Sequence, residues 1–149
     1  MSGTFLRILI AAVFIFHGIG QVMGIIPALR IFIFDNTNST ALKSWSSYSW
    51  LFTPRLGDAG SRILCLLLWG LSFIGFVSAA LALMGWLLPH DLWRPLALVS
   101  ATLSMLAVFS FWNALIMFFP HRIGNIFVNG AVLFCLLILS WPKEADLGF

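Results

Sequence analysis

The sequence predicts an all-α, polytopic membrane protein, built as an antiparallel bundle of four transmembrane helices with a long first loop on the membrane surface. The 149 residues are 61% hydrophobic and 9% charged, whereas about a quarter of a soluble domain is charged. Apolar runs of spanning length recur along the chain, and charged residues are confined between them. The length favours a single integral membrane domain over residues 1–149.

The first predicted helix covers about residues 5–28. No small-residue cleavage site interrupts its apolar run, so we interpret it as a retained helix and not as a secretory signal. A surface loop of about residues 35–60 follows, rich in Ser, Thr and Asn and carrying aromatic residues that suit the headgroup layer. We expect part of this loop, around Ala41–Phe52, to form a short amphipathic helix.

The remaining helices are predicted over about residues 61–88, 94–119 and 121–141. Tight turns at Pro89 and Pro120 separate them, and short connections place consecutive helices side by side and antiparallel.

The charges fit a multi-pass protein of the cell membrane. Net charge is +3, without a basic stripe, so we expect the lipid bilayer as a partner and no nucleic acid. More Lys and Arg lie in the first and third loops than on the other side, which favours a cytoplasmic long loop with both termini outside. Against this, Asn38-Ser39-Thr40 is a glycosylation sequon, which would need an external loop.

Uncharged polar side chains within the predicted helices converge on one side of the bilayer: His17, Gln21, Asn113, Asn125 and Asn129. Polar groups at membrane depth are costly and usually face a partner or a cavity. We therefore predict a one-sided pocket for a carbonyl-bearing head group, such as that of a quinone or a lipid. The alternative is a self-satisfied hydrogen-bond network that joins the helices.

Gly20 and Gly24 share a helix face with His17 and Gln21. Gly20-x-x-x-Gly24 is a close-packing motif in membranes, so we predict helix packing for both glycines. They could instead open space beside the two polar side chains.

Arg55, Asp58 and Arg62 stand where the long loop enters the second predicted helix. Asp58 and Arg62 are spaced for an ion pair in the favourable order. We predict that the three residues form the mouth of the pocket, with an ordinary surface ion pair as the alternative.

Enzyme activity stays uncertain because no catalytic constellation is recognised. The sequence has no HExxH, CxxC or carboxylate pair, and no carboxylate lies near His17. We expect His17, His90 and His121 at different depths, which disfavours a metal or haem site within one chain. No cofactor is evident, and a quinone is the one candidate.

The architecture resembles the DoxX-like family of small four-helix membrane proteins. The likeness rests on Arg7, on the stretch His17-Gly18-Ile19-Gly20-Gln21 and on the long first loop. Some members of that family are tied to thiosulfate:quinone oxidoreduction, so the resemblance implies a quinone and a membrane redox partner. A lysine often follows the helix 1 glycine in the family, whereas this chain has Gln21 nearby.

The sequence thus favours a small membrane binding or accessory protein, with a pocket for a quinone-like or lipid head group and a redox partner. One alternative is an oligomeric transporter or channel that uses the same polar residues. The half of the bilayer facing the termini offers mainly Ser100, Thr102 and Ser104 for such a path, which argues against it. A purely structural subunit, in which the polar residues only join the helices, is the other alternative.

Overall fold

The computed structural model describes residues 2–29, 47–112 and 119–149, and it has no β-strand in these ranges. Four of its helices are long and apolar enough to cross a membrane. The helices are α1 (Gly3–Leu29), α2 (Thr53–Leu83), α3 (Trp93–Ser110), α4 (Phe119–Leu133) and the short α5 (Glu144–Leu147). A 3₁₀ turn, His90–Leu92, precedes α3, and a π-helix, Phe134–Ile138, continues α4. The all-α prediction is confirmed for the described residues.

Helix α2 begins at Thr53 and not near residue 61, so residues 53–60 belong to a helix and not to the predicted surface loop. Pro54 lies in the first turn of α2, where its missing N–H leaves no hydrogen bond unmade. The helix bends at Gly57, whose φ is 70°. It ends at Leu83, before the predicted residue 88, because Gly85 and Leu87 take positive φ angles that a helix does not continue through.

Helix α3 ends at Ser110, well before the predicted residue 119. The segment before α2 caps this end: the Ser49 hydroxyl donates to the Ser110 carbonyl, and Trp50 Nε1 donates to the Phe109 carbonyl at 2.8 Å. The last carbonyls of a helix have no partner within it, so these side chains take the place of a further helical turn.

The predicted amphipathic helix does not extend through residues 47–52, which form a bend and a turn. The remainder of that prediction, residues 41–46, and the rest of the long loop before it lie outside the described residues. The bounds of α1 and α4 are closer to the predicted ones. Helix α1 extends the predicted range slightly at both ends, and the helical run from α4 ends at Ile138 instead of near residue 141.

Consecutive long helices pack on one another: α1 on α2, α2 on α3, and α3 on α4. Helices α1 and α4 touch far less than these consecutive pairs, and a cleft lies between them. Small residues allow the other pairs to approach closely. Gly18 lies over Phe76, where an added Cβ would come within 3.3 Å of the Phe76 Cβ, and Gly75 faces the Ser100 hydroxyl.

Candidate functional site

Four of the five predicted pocket residues meet in one hydrogen-bonded group. His17 and Gln21 come from α1, and Asn125 and Asn129 come from α4. Their spacing of four residues on each helix puts both members of a pair on the same face. The fifth predicted residue, Asn113, lies outside the described residues.

The contacts among these side chains form a closed ring. His17 Nε2 lies 3.0 Å from Asn129 Oδ1. Asn129 Nδ2 donates to Asn125 Oδ1, Asn125 Nδ2 lies 3.3 Å from Gln21 Oε1, and Gln21 Nε2 lies 3.3 Å from the His17 carbonyl oxygen. The ring therefore joins α1 to α4 where the two helices otherwise touch little.

Ser104 of α3 lies at the centre of this ring, although the sequence does not predict it as a pocket residue. Its hydroxyl is 3.0 Å from Gln21 Oε1, 2.9 Å from Asn125 Oδ1 and 2.8 Å from Asn129 Nδ2. The prediction placed Ser104 in the opposite half of the bilayer because it extended the third helix to residue 119. With α3 ending at Ser110, Ser104 is less than two turns from that end.

One sequence signal could have identified Ser104. Small residues recur along one face of α3, at Ala97, Ser100, Ala101, Ser104 and Ala107, and all of them are buried. Such a face marks a close helix contact in membranes, and a serine within it has polar atoms to satisfy. We call the five joined side chains the polar cluster: His17, Gln21, Ser104, Asn125 and Asn129.

Most of the polar cluster is enclosed. Gln21, Ser104 and Asn129 have no exposed surface, and Asn125 has almost none. His17 is only half-buried, and its ring packs edge-on against Phe76 with centroids 4.9 Å apart. His17 is therefore the member of the cluster whose ring extends toward the outside.

The outer side of His17 lines a groove of about 580 Å³ between α1 and α4. We call it the histidine groove. His17 and Gly20 line it from α1, and His121, Gly124 and Asn125 line it from α4. Its other lining residues are apolar or small: Leu9, Ala12, Val13, Phe16 and Val128.

His17 and His121, which the sequence predicts at different depths, both line this groove. An added Cβ on Gly20, within one turn of His17, would lie 3.7 Å from His121 Cε1. The His121 ring also lies 6.5 Å from the Trp69 ring, centroid to centroid. Its Nε2 is buried and has no hydrogen-bond partner among the described residues.

An apolar extension continues the histidine groove along the cleft. A second groove of about 210 Å³ shares Leu9 and Val13 with the first and reaches Leu136 and Trp141. Together the two grooves offer imidazole groups at one end and an apolar surface at the other. This arrangement suits an amphipathic molecule.

The two predicted packing glycines have different surroundings. An added Cβ on Gly24 would overlap the Trp69 indole, so Gly24 does permit a close approach of α1 and α2. Gly20 makes no such contact and lines the histidine groove instead. The interpretation that a glycine opens space beside the polar side chains therefore applies to Gly20.

The three predicted mouth residues are not among those that line the histidine groove. Arg62 donates from Nε and Nη2 to the Ala28 carbonyl, at 3.1 Å each, so this cation caps the C-terminal end of α1. Arg55 donates from Nη1 to the Leu51 carbonyl at 2.7 Å. In the structure, Arg62 therefore stabilises the end of α1, and its predicted position at the pocket mouth stays a prediction.

The chain matches no protein-family model, no curated protein and no solved structure. Within the described residues, no group of three or more His, Cys, Asp or Glu side chains could hold a metal ion.

Proposed function

We propose that this protein spans a membrane as an antiparallel four-helix bundle and binds an amphipathic molecule in the histidine groove. The head group, quinone-like or that of a lipid, contacts His17 and His121, and its apolar tail follows the cleft toward Leu136. The observation that carries the proposal is the lining of the groove in the described structure: two imidazoles, His17 and His121, stand at one end, and apolar side chains line the rest. A polar head group would meet the imidazoles, and an apolar tail would follow the apolar side chains.

The outer surface of the helices supports insertion in a bilayer. Phe16 and Phe127 are 74% and 76% exposed, and further large apolar side chains on all four long helices are exposed in the same way. A surface of this kind is unfavourable in water and favourable in contact with lipid tails. The cleft opens on this surface, so a ligand could enter sideways from the bilayer.

The proposed role is that of a binding or accessory protein for a membrane redox partner. The resemblance to DoxX-like proteins supports a redox partner. The groove supports the binding of an amphipathic molecule. We propose no intrinsic reaction, because the groove supplies imidazoles without a carboxylate to orient them.

Filling the groove tests this proposal. An added Cβ on Gly124 meets nothing within 4 Å, so Gly124→Leu should narrow the groove without disturbing the fold. Gly130→Leu is the matched control, because Gly130 also has open space, lies on the same helix and is not part of the groove lining. Native mass spectrometry of the protein in mild detergent should show a retained quinone or lipid in the wild type and the control, and less of it in Gly124→Leu.

A structural subunit is the second candidate, and the closed polar cluster favours it. Gln21, Asn125 and Asn129 satisfy one another and need no ligand to be stable. In that case the wild type would retain no specific ligand. Gly124→Leu and Gly130→Leu would then behave alike in every measurement.

A further inference from the structure

The contacts of the polar cluster bear on which ring nitrogen of His17 carries the proton. The His17 backbone carbonyl only accepts hydrogen bonds. Gln21 Nε2 lies 3.3 Å from that oxygen, so the nitrogen end of the Gln21 amide faces it. The oxygen end, Oε1, then faces Ser104 and Asn125.

The orientation of Gln21 sets the orientation of the two asparagines. Asn125 must turn its nitrogen toward Gln21 Oε1, which leaves Asn125 Oδ1 facing Asn129 Nδ2. Asn129 Oδ1 is then the atom that lies 3.0 Å from His17 Nε2. An amide oxygen cannot donate, so His17 Nε2 must carry the hydrogen.

One contact opposes this assignment. Gln21 Nε2 also lies 3.0 Å from His17 Nε2, and this pair would form a hydrogen bond only if Nε2 were bare. A bare Nε2 would leave Asn129 Oδ1 without a donor among the described residues. With the hydrogen on Nε2, Asn129 Oδ1 gains a donor and Gln21 Nε2 keeps the His17 carbonyl as an acceptor. Each of these polar atoms then has at least one partner, and the group left unpaired in the described structure is the second N–H of Gln21.

The assignment fixes what His17 offers to a ligand. A neutral imidazole has one N–H and one acceptor nitrogen, so Nδ1 is the acceptor when Nε2 carries the hydrogen. His17 Nδ1 makes no hydrogen bond within the described part of the chain, and the His17 ring lines the groove. A hydroxyl can donate to Nδ1, whereas a ketone or ester carbonyl cannot.

We infer that the histidine groove selects a hydroxyl-bearing head group, such as a quinol or a lipid alcohol, over the corresponding quinone or full ester. This inference rests on the proposed function and replaces the expected carbonyl-bearing head group. A hydroxyl is both a donor and an acceptor, so it can donate to His17 Nδ1 while its oxygen still accepts a hydrogen bond.

The first experiment determines the tautomer in the intact protein and needs no ligand. The protein is labelled with ¹⁵N-histidine in detergent micelles, and NMR locates the ring proton of His17, which is assigned by its loss in His17→Gln. We expect a protonated Nε2 and a bare Nδ1. A proton on Nδ1, whether alone or together with one on Nε2, would overturn the inference.

The second experiment measures binding to matched probe pairs that differ in the hydroxyl. One arm compares decyl-ubiquinol with decyl-ubiquinone, and the other compares dioleoylglycerol with trioleoylglycerol. We expect the hydroxyl-bearing member of at least one pair to bind about three- to tenfold more tightly, the usual effect of one hydrogen bond. A preference in the first arm identifies the ligand as a quinol, and a preference in the second arm identifies it as a lipid alcohol.

The outcomes separate this inference from the proposed function. Equal or tighter binding of the member without the hydroxyl, in both arms, would refute the inference and leave a ligand groove. No binding of any probe, with the groove-filling Gly124→Leu variant indistinguishable from Gly130→Leu, would refute the proposed function itself.

Discussion

Gly20 and Gly24 are one turn apart on the same face of α1, yet an added methyl group would meet very different surroundings. At Gly24 it would overlap the Trp69 indole, and at Gly20 its nearest neighbour would be His121 Cε1 at 3.7 Å. The Gly-x-x-x-Gly spacing does not show which of the two glycines packs against another helix. Only the position of the opposing helix distinguishes a packing glycine from one that lines a groove.

Gly24→Ala should lower the free energy of unfolding by about 1–3 kcal/mol, because the overlap forces α1 and α2 apart. Gly20→Ala should leave stability unchanged or raise it by up to about 1 kcal/mol, because alanine is the better helix former. Thermal unfolding in detergent, followed by circular dichroism, compares the two variants. Equal losses would show that α1 and α2 do not meet at Trp69 as described.

Ser104→Ala should cost about 0.5–2 kcal/mol of stability, since it removes the hydroxyl that three amide groups of the polar cluster share. Thr102→Ala is the matched control. Thr102 is exposed on the same helix, and its hydroxyl donates to the Leu98 carbonyl of its own helix, so loss of this hydroxyl should change stability little. Unfolding in detergent again gives the comparison, and a larger effect at Thr102 would contradict the role assigned to Ser104.

The polar cluster was partly predictable because amides and imidazoles in an apolar helix must find partners. His17, Gln21, Asn125 and Asn129 were named on that ground. Ser104 was placed at the wrong depth, since its depth depends on where α3 ends. The sequence predicts His121 at the first residue of the fourth helix, whereas α4 begins at Phe119 and brings His121 into the groove that His17 lines.

Helix bounds in this chain depend on side chains that are distant in sequence. The apolar run predicts a third helix to residue 119, yet α3 ends at Ser110, where Ser49 and Trp50 satisfy its carbonyls. No local pattern in the α3 sequence signals this, because both capping residues precede α2. Within a bilayer, such carbonyls need protein partners, since water is absent.

Trp50→Phe should destabilise the protein by about 0.5–1.5 kcal/mol, because it removes the indole N–H that bonds the Phe109 carbonyl and keeps an aromatic ring in place. Trp86→Phe is the control, since Trp86 is largely exposed. Amide hydrogen exchange in the last turn of α3 should rise in Trp50→Phe and stay unchanged in Trp86→Phe. Unchanged exchange in both variants would contradict capping by Trp50.

The arrangement of the long helices explains where the site lies. Each consecutive pair packs closely, whereas α1 and α4 are joined by the polar cluster and separated by the cleft beside it. The number and apolar character of the helices could be predicted from the sequence. The cleft could not, because it depends on how closely α1 approaches α4.

The distribution of basic residues predicts that the turn near Asp91 is external and that Lys43 is cytoplasmic. Asp91→Cys and Lys43→Cys, each in a background without Cys65 and Cys135, allow a test with a membrane-impermeant maleimide. In intact cells we expect label on Asp91→Cys only, and on Lys43→Cys only after permeabilisation. The reverse pattern would overturn this orientation and make the Asn38 sequon accessible to glycosylation.

The polar cluster also constrains the order in which the chain can mature during synthesis. His17 and Asn129 are 112 positions apart in the sequence, so the ring cannot close until the ribosome has made α4. Before that, Gln21 and Ser104 can pair with each other, at 3.0 Å, but the His17 ring lacks its Asn129 partner. The newly made first three helices therefore hold an incomplete polar surface, which only the arrival of α4 can complete.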